Sequence, residues 1–249
     1  MSFAVLVTGG TFDKEYDELN GALSFGEPHV GQMLAQGRCR LAVRIEIVMM
    51  KDSLEMTQAD RTRILEACNA CPEKRIVITH GTDTLEETAY FLHRVLAPEK
   101  PVVLTCAMRP ADALAPDGPQ NLVDAVAVVR SSGAQGVVAV CAGQVHGAMD
   151  VAKVHPYRLD AFSSGDAGPI AWVEEGQLRR LRPWPVAADR RAGQLAAAVA
   201  QHSPTTWPFV EIVINHAGAD GRALHAFAVG DDFTGKFMAE DERLGGNEV

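Results

Sequence analysis

RIVITHGTDTLEETAYFL, residues 75 to 92, opens with a short apolar run, passes through a polar loop containing one glycine, and continues into a helical pattern. Arg75 to Thr79 is rich in β-branched side chains and has no polar alternation, as expected of a strand buried on both faces of a parallel sheet. Thr84 followed by Glu87 resembles a capping box and predicts a helix through Ala97. Runs of the same kind stand at Phe3 to Val7, Val43 to Met49, Val102 to Cys106, Gly136 to Cys141 and Phe209 to Ile214. Between them, Thr57 with Asp60 predicts a helix through Ala70, and Gln120 to Ser132 predicts another after the turn Asp117-Gly118-Pro119. Strands alternating with helices of 10 to 14 residues imply right-handed βαβ crossovers. The expected fold class is α/β, a mostly parallel sheet flanked by helices, with a truncated second α/β segment after it.

The 249 residues are 47% hydrophobic and 22% charged, enough for a sizeable core and too apolar for disorder. Lys plus Arg number 23 against 32 for Asp plus Glu, a formal charge of −9 that repels phosphate backbones and anionic headgroups. Nucleic acid and membrane are therefore not expected as partners. No apolar run approaches the ~18 residues of a membrane span. Five cysteines are an odd, sparse set suited to a reducing compartment, so a cytoplasmic location is expected. Composition divides the chain into a domain at 1–182, a Pro- and Ala-rich linker at 183–208, and a partial second domain with a polar tail at 209–249.

Ligands of open α/β sheets bind beyond the carboxyl ends of the strands, which directs attention to two loops. Thr8-Gly9-Gly10-Thr11-Phe12 offers a sharp turn, exposed amides for an oxyanion, and a hydroxyl beside them. A plain turn needs the same residue types. His80-Gly81-Thr82-Asp83-Thr84 places a hydroxyl and a carboxylate at a helix N-terminus, where amides and dipole hold them. With Thr84 as the cap, Thr82 and Asp83 are left for function. Asp13 to Glu27, acidic and poor in apolar residues, is expected to form a mobile lid. Cys68-Asn69-Ala70-Cys71 lacks a second ligand pair, and no histidine spacing suits zinc, so neither metal nor cofactor is expected. His80 suits either a packed interior or the rim of the site.

TGGTF at 8 to 12, HGTDTLEETAYFL at 80 to 92, and AMRP at 107 to 110 followed by DGPQNL at 117 to 122 resemble the signatures of the bacterial-type L-asparaginase/glutaminase family, in that family's order. The resemblance implies that Thr11 is a nucleophile forming an acyl-enzyme, with Tyr16 as the loop tyrosine near it. It implies that Thr82 and Asp83 are a second catalytic threonine and the acidic residue taking the substrate's α-ammonium group. Lys153 would partner Thr82, since a lysine beside a buried hydroxyl can accept a proton. Ser53 would bind the α-carboxylate and the Ala107 carbonyl the leaving amide nitrogen, with Gly10 and Gly81 lining the substrate site. Leu54 stands where many secreted members have glutamine.

The implied activity is metal-free hydrolysis of L-asparagine to L-aspartate and ammonia. An amidotransferase-type or other amide hydrolase using the same site, or a weakly catalytic amino-acid-binding protein, are the alternatives. The expected partners are a small amino-acid amide and further copies of the chain, as a dimer or tetramer.

Overall fold

The computed structural model describes residues 2–185 apart from 18, 20 and 97–99. The strand expected at Phe209 to Ile214 and the rest of the partial second domain with its tail lie outside the described residues.

Eight strands form the main sheet: β1 (Ser2–Gly9), β4 (Ala42–Lys51), β5 (Ile76–Thr79), β6 (Val102–Thr105), β7 (Val137–Cys141), β8 (Gln144–Gly147), β11 (Ala171–Glu174) and β12 (Gln177–Arg180), in spatial order β12-β11-β8-β7-β6-β5-β1-β4. The five strands from β4 to β7 run parallel, with Val5 opposite Val77 and Ile45, and Leu104 opposite Ala139. The remaining pairings, β7 with β8, β8 with β11 and β11 with β12, are antiparallel. Two small antiparallel pairs stand apart: β2 (Lys14–Asp17) with β3 (Ala22–Phe25), and β9 (Ala152–Lys153) with β10 (Phe162–Ser163).

Helices cover both faces. Residues of α2 (Gln58–Ala70) and α3 (Leu85–Val95) join one core with Leu6, Ile76, Ile78 and Leu104. Residues of α1 (Val30–Gln36) and α4 (Gly118–Val129) join the other with Val5, Val7, Val77 and Val103. Successive strand residues point to opposite faces, so one uninterrupted apolar run feeds both cores. Trp184 is buried in the second core, so the packed body reaches Pro185, whose carbonyl lies against Gly136.

Local signals read the helices unevenly. Thr57 and Asp60 form a true capping box at α2: each side chain bonds the other residue's backbone amide. Thr84 makes no such cap and instead donates its hydroxyl to the Ser53 carbonyl, so its role is to tie the second loop to the turn after β4. The turn residues Gly118 and Pro119 are the first residues of α4 itself, where a proline loses no helical hydrogen bond. The run Val43 to Met49 is the sheet's outermost strand rather than an enclosed one, leaving Ile45 and Ile47 exposed. Within the segment expected as a lid, Lys14–Asp17 and Ala22–Phe25 pair as β2 and β3; Asp13 before them is fully buried, and Gly26 N–H after them donates to the Asp13 carbonyl.

Candidate active site

The chain leaves β1, crosses to β4 on one side, and returns to β5 on the other. That reversal opens a crevice at the carboxyl ends of β1 and β5, the usual ligand position in an open α/β sheet. The loops that meet there approach so closely that two of them tolerate only glycine. A Cβ on Gly10 would stand 2.4 Å from the Gly81 Cα, and a Cβ on Gly81 would stand 2.5 Å from the Ser53 Oγ. Gly10 also has φ 80°, and Gly9 φ 92°, conformations that side chains with a Cβ rarely adopt. The Gly10 amide, expected to be free for an oxyanion, donates instead to the Lys51 carbonyl at 3.0 Å. Thr11 follows in a single 3₁₀ turn, Thr11–Asp13, half-buried at the crevice.

Lys153 reaches the second loop from β9. Its amine donates to Thr82 Oγ1 at 2.8 Å and to Asp83 Oδ1 at 2.6 Å. The Lys153 side chain is itself only 13% exposed, and Thr82 is buried. The backbone amide of Lys153 donates to the Glu86 carboxylate in the first turn of α3, so one helix end holds both halves of this cluster. Burial raises the Glu86 carboxyl above its ordinary value, partly offset by that amide. Glu86 was missed in the sequence, although it stands within the second motif.

Ser53 completes this side. Its hydroxyl accepts from the Asp83 amide at 3.1 Å, which leaves its own proton to donate toward a ligand. Leu54, the next residue, is exposed. Ala107 is buried after β6, and Gly118 of α4 packs against both its Cβ and the Phe12 ring. The turn is held by two residues for which no role was expected. Asp117 accepts from the Met108 and Arg109 amides at 2.9 Å, and Asn121 bridges the Cys106 carbonyl, Asp117 and the Ala142 amide. Arg109 turns away and donates to the Ala115 carbonyl.

Tyr16 is not joined to Thr11 by a hydrogen bond among the described residues. Its backbone amide is fixed by Asp112 Oδ2 at 2.8 Å, and its side chain lines an open groove of about 620 Å³ with Leu23, Pro110 and Asp112. The hairpin base is pinned by the Lys14–Asp52 ion pair. Asp13 accepts from the His29 amide at 3.1 Å, but its second carboxylate oxygen is buried without a partner, and burial raises its carboxyl to about 6. His80 is fully buried, its Nδ1–H directed at the Gly81 carbonyl and its Nε2 against Met56 Sδ; burial lowers it to about 4. It supports the second loop from behind and presents no edge to solvent.

The geometry thus brings Thr82, Asp83, Lys153 and Ser53 into one hydrogen-bonded group, with Thr11 adjoining it across the Gly10–Gly81 contact and Tyr16 held by Asp112. Comparison with known proteins adds a family. A family profile described as Asparaginase, N-terminal, matches residues 2–185. The chain is 33% identical over 185 residues to a probable periplasmic L-asparaginase of Haemophilus influenzae, covering 71% of this chain and 53% of that protein. It is 35% identical over 184 residues to a glutaminase-asparaginase of Pseudomonas fluorescens biotype A, covering 70% and 51%. The crystal structure of a probable cytoplasmic L-asparaginase from Campylobacter jejuni superposes with a TM-score of 0.69 at 34% identity, over 76% of this chain and 61% of that one. The chain spans about half the length of the curated relatives it matches.

Proposed function

Since the chain belongs to the asparaginase family, we propose that it hydrolyses L-asparagine to L-aspartate and ammonia through a threonine acyl-enzyme. The observation that carries this reading is the Lys153 amine held between Thr82 and Asp83. In it, the substrate's α-ammonium takes the Asp83 carboxylate and its α-carboxylate takes the Ser53 hydroxyl proton. The side-chain amide then lies at the crevice between the two threonines. The Thr11 oxygen attacks the amide carbon and its proton passes to a base, for which Tyr16 is proposed. The C–N bond breaks, the nitrogen leaves as ammonia with one added proton, and water cleaves the resulting ester. The Ala107 carbonyl accepts from the leaving amide N–H. No cofactor takes part.

Glutamine is proposed as a second substrate, in keeping with the glutaminase-asparaginase among the relatives. A cytoplasmic location is proposed from the five unpaired cysteines. Among the described residues no helix is long and apolar enough to cross a membrane.

One observation favours a second reading of the nucleophile: the amine contacts the Thr82 hydroxyl and not that of Thr11. Ammonia release from asparagine and from glutamine by the purified chain, at two protein concentrations, tests the activity. Its absence at both concentrations, with asparagine still bound, would instead identify an amino-acid-binding protein.

A further inference from the structure

β4 forms the outer edge of the main sheet, pairing only with β1 among the described residues. Its side chains alternate: Val43, Ile45 and Ile47 on one face, Arg44 and Glu46 on the other. Ile45 and Ile47 are 43% and 56% exposed, an unusual content for an unpaired strand edge, which charges or prolines normally protect. Beside Ile45 runs α1, and a Cβ on its Gly31 would stand 3.9 Å from the Ile45 Cδ1. The residues that α1 exposes, Gly31, Gln32, Ala35 and Gln36, carry no charge.

We propose that this edge pairs antiparallel with the same edge of a second copy of the chain, about a two-fold axis through Ile45. A two-fold axis perpendicular to the sheet keeps each copy's faces in common. The residues placed opposite one another must therefore have numbers with an even sum. An axis through residue 44 would set Arg44 on Arg44, and one through 46 would set Glu46 on Glu46. An axis through 47 would set both charges opposite apolar residues, and one through 43 would set Arg44 opposite Ala42 and leave Glu46 facing Arg40, beyond the end of β4. The axis through Ile45 alone sets Arg44 opposite Glu46 twice, Ile45 opposite Ile45, and Val43 opposite Ile47. Of the axes through residues 43 to 47, this is the one that opposes unlike charges within β4 itself. In the single chain Arg44 already reaches Glu46 at 2.5 Å and Glu73 at 2.9 Å, so its guanidinium lies extended along the face where the opposing Glu46 arrives. Pairing would continue the sheet from one copy into the next and remove both exposed isoleucines from water. It is independent of the reading of the active site.

Sedimentation and cysteine cross-linking of the full chain test the register. The wild type should sediment as a dimer at micromolar concentration. Under mild oxidation with diamide, I45C should link copies in high yield while I47C, which faces residue 43 of the other copy, should not; V43C/I47C should restore linking. R44E and E46R should each weaken the dimer by about 10-fold or more, and R44E/E46R/E73R should recover it, because the opposed pairs and the Glu73 partner of residue 44 are restored with their signs exchanged. Thermal melts of each variant separate loss of pairing from loss of fold. A wild-type monomer, equal linking by I45C and I47C, or a folded R44E/E46R/E73R that stays as weak as the single variants would each overturn the proposal. So would a monomer whose 42–47 amides resist hydrogen exchange, since another part of the same chain would then occupy the edge.

Discussion

The Lys153 amine lies 2.8 Å from the Thr82 hydroxyl, although 71 residues separate them in the chain. Both are held by the first turn of α3: Thr82 precedes it, and Glu86 within it grips the Lys153 backbone amide. A short two-stranded pair, β9 with β10, fixes the lysine's approach, with Lys153 directly opposite Phe162.

Replacing Lys153 by Met keeps most of the side chain's volume and removes the amine. The expected result is a fall in kcat of at least ~100-fold with the melting temperature little changed. Asp83→Asn deletes the charge proposed to face the α-ammonium and should act mainly on KM. Steady-state kinetics of both variants check the division; an unaltered kcat for Lys153→Met removes the amine from the mechanism.

Thr11 and Thr82 are distinguished by where an acyl group accumulates. Thr11→Val should abolish turnover and leave the fold intact, because this half-buried side chain makes no hydrogen bond among the described residues. Intact-mass and peptide analysis of the wild type quenched during turnover should find the adduct on Thr11. An adduct on Thr82 would assign the nucleophile to the hydroxyl that the lysine touches.

The loop crossing at Gly10 and Gly81 can be weighed against a control within the same protein. Gly10 and Gly133 have similar positive φ, 80° and 74°, but a Cβ on Gly133 would meet nothing within 4 Å. Gly133→Ala should cost about 1–2 kcal/mol for the backbone conformation alone. Gly10→Ala adds a collision with the Gly81 backbone and, at ψ −170°, a conformation that glycine alone holds readily, and should cost roughly 1–3 kcal/mol more, with loss of activity. Urea unfolding of the pair measures the difference; equal losses would show that the two loops yield to the added methyl.

Four buried groups set opposing slopes in stability against pH. Burial raises Asp124 and Asp13 to about 6 from 3.8, so between about pH 4 and 6 the folded chain holds protons that the unfolded chain has released, and stability falls as pH rises. Burial lowers His80 and His146 to about 4 from 6.5, so between about pH 4 and 6.5 the unfolded chain holds the extra protons and stability rises with pH. Each group is worth on the order of 3 kcal/mol, and the two pairs nearly cancel. Asp124→Asn removes one of the falling contributions. Its stability, from urea midpoints at pH 4 to 7, should climb more steeply with pH than that of the wild type; parallel profiles would show that Asp124 titrates normally.

Local chemistry carried a large part of this architecture. Thr57 and Asp60 are three residues apart and satisfy each other's amides within one helical turn, so their capping box could be read without any tertiary contact. The apolar runs at β1, β5, β6 and β7 report burial on both faces because nothing polar interrupts them. The motifs around Thr11, Thr82 and Ala107 likewise stand at strand ends, where a parallel sheet places its ligand crevice. What such patterns do not contain is the identity of the neighbour. Val43 to Met49 has the composition of an enclosed strand, yet sheet order leaves it outermost, and no periodicity within ten residues encodes sheet order. α1 is only seven residues long and lacks a side-chain cap, so its stability comes from packing Val30, Met33 and Leu34 on the sheet. Thr84 had the spacing of a cap, but its hydroxyl accepts from no amide of α3 and donates to the Ser53 carbonyl, 31 residues away in the chain. The site divides in the same manner: residue types and strand ends could be read along the chain, while the Lys153–Thr82 contact, the Gly10–Gly81 crossing and the anchoring of Tyr16 by Asp112 depend on which loops the folded sheet brings together. Hydrogen bonds and close packing act over a few ångströms of space irrespective of chain separation, and only the tertiary structure converts the one distance into the other.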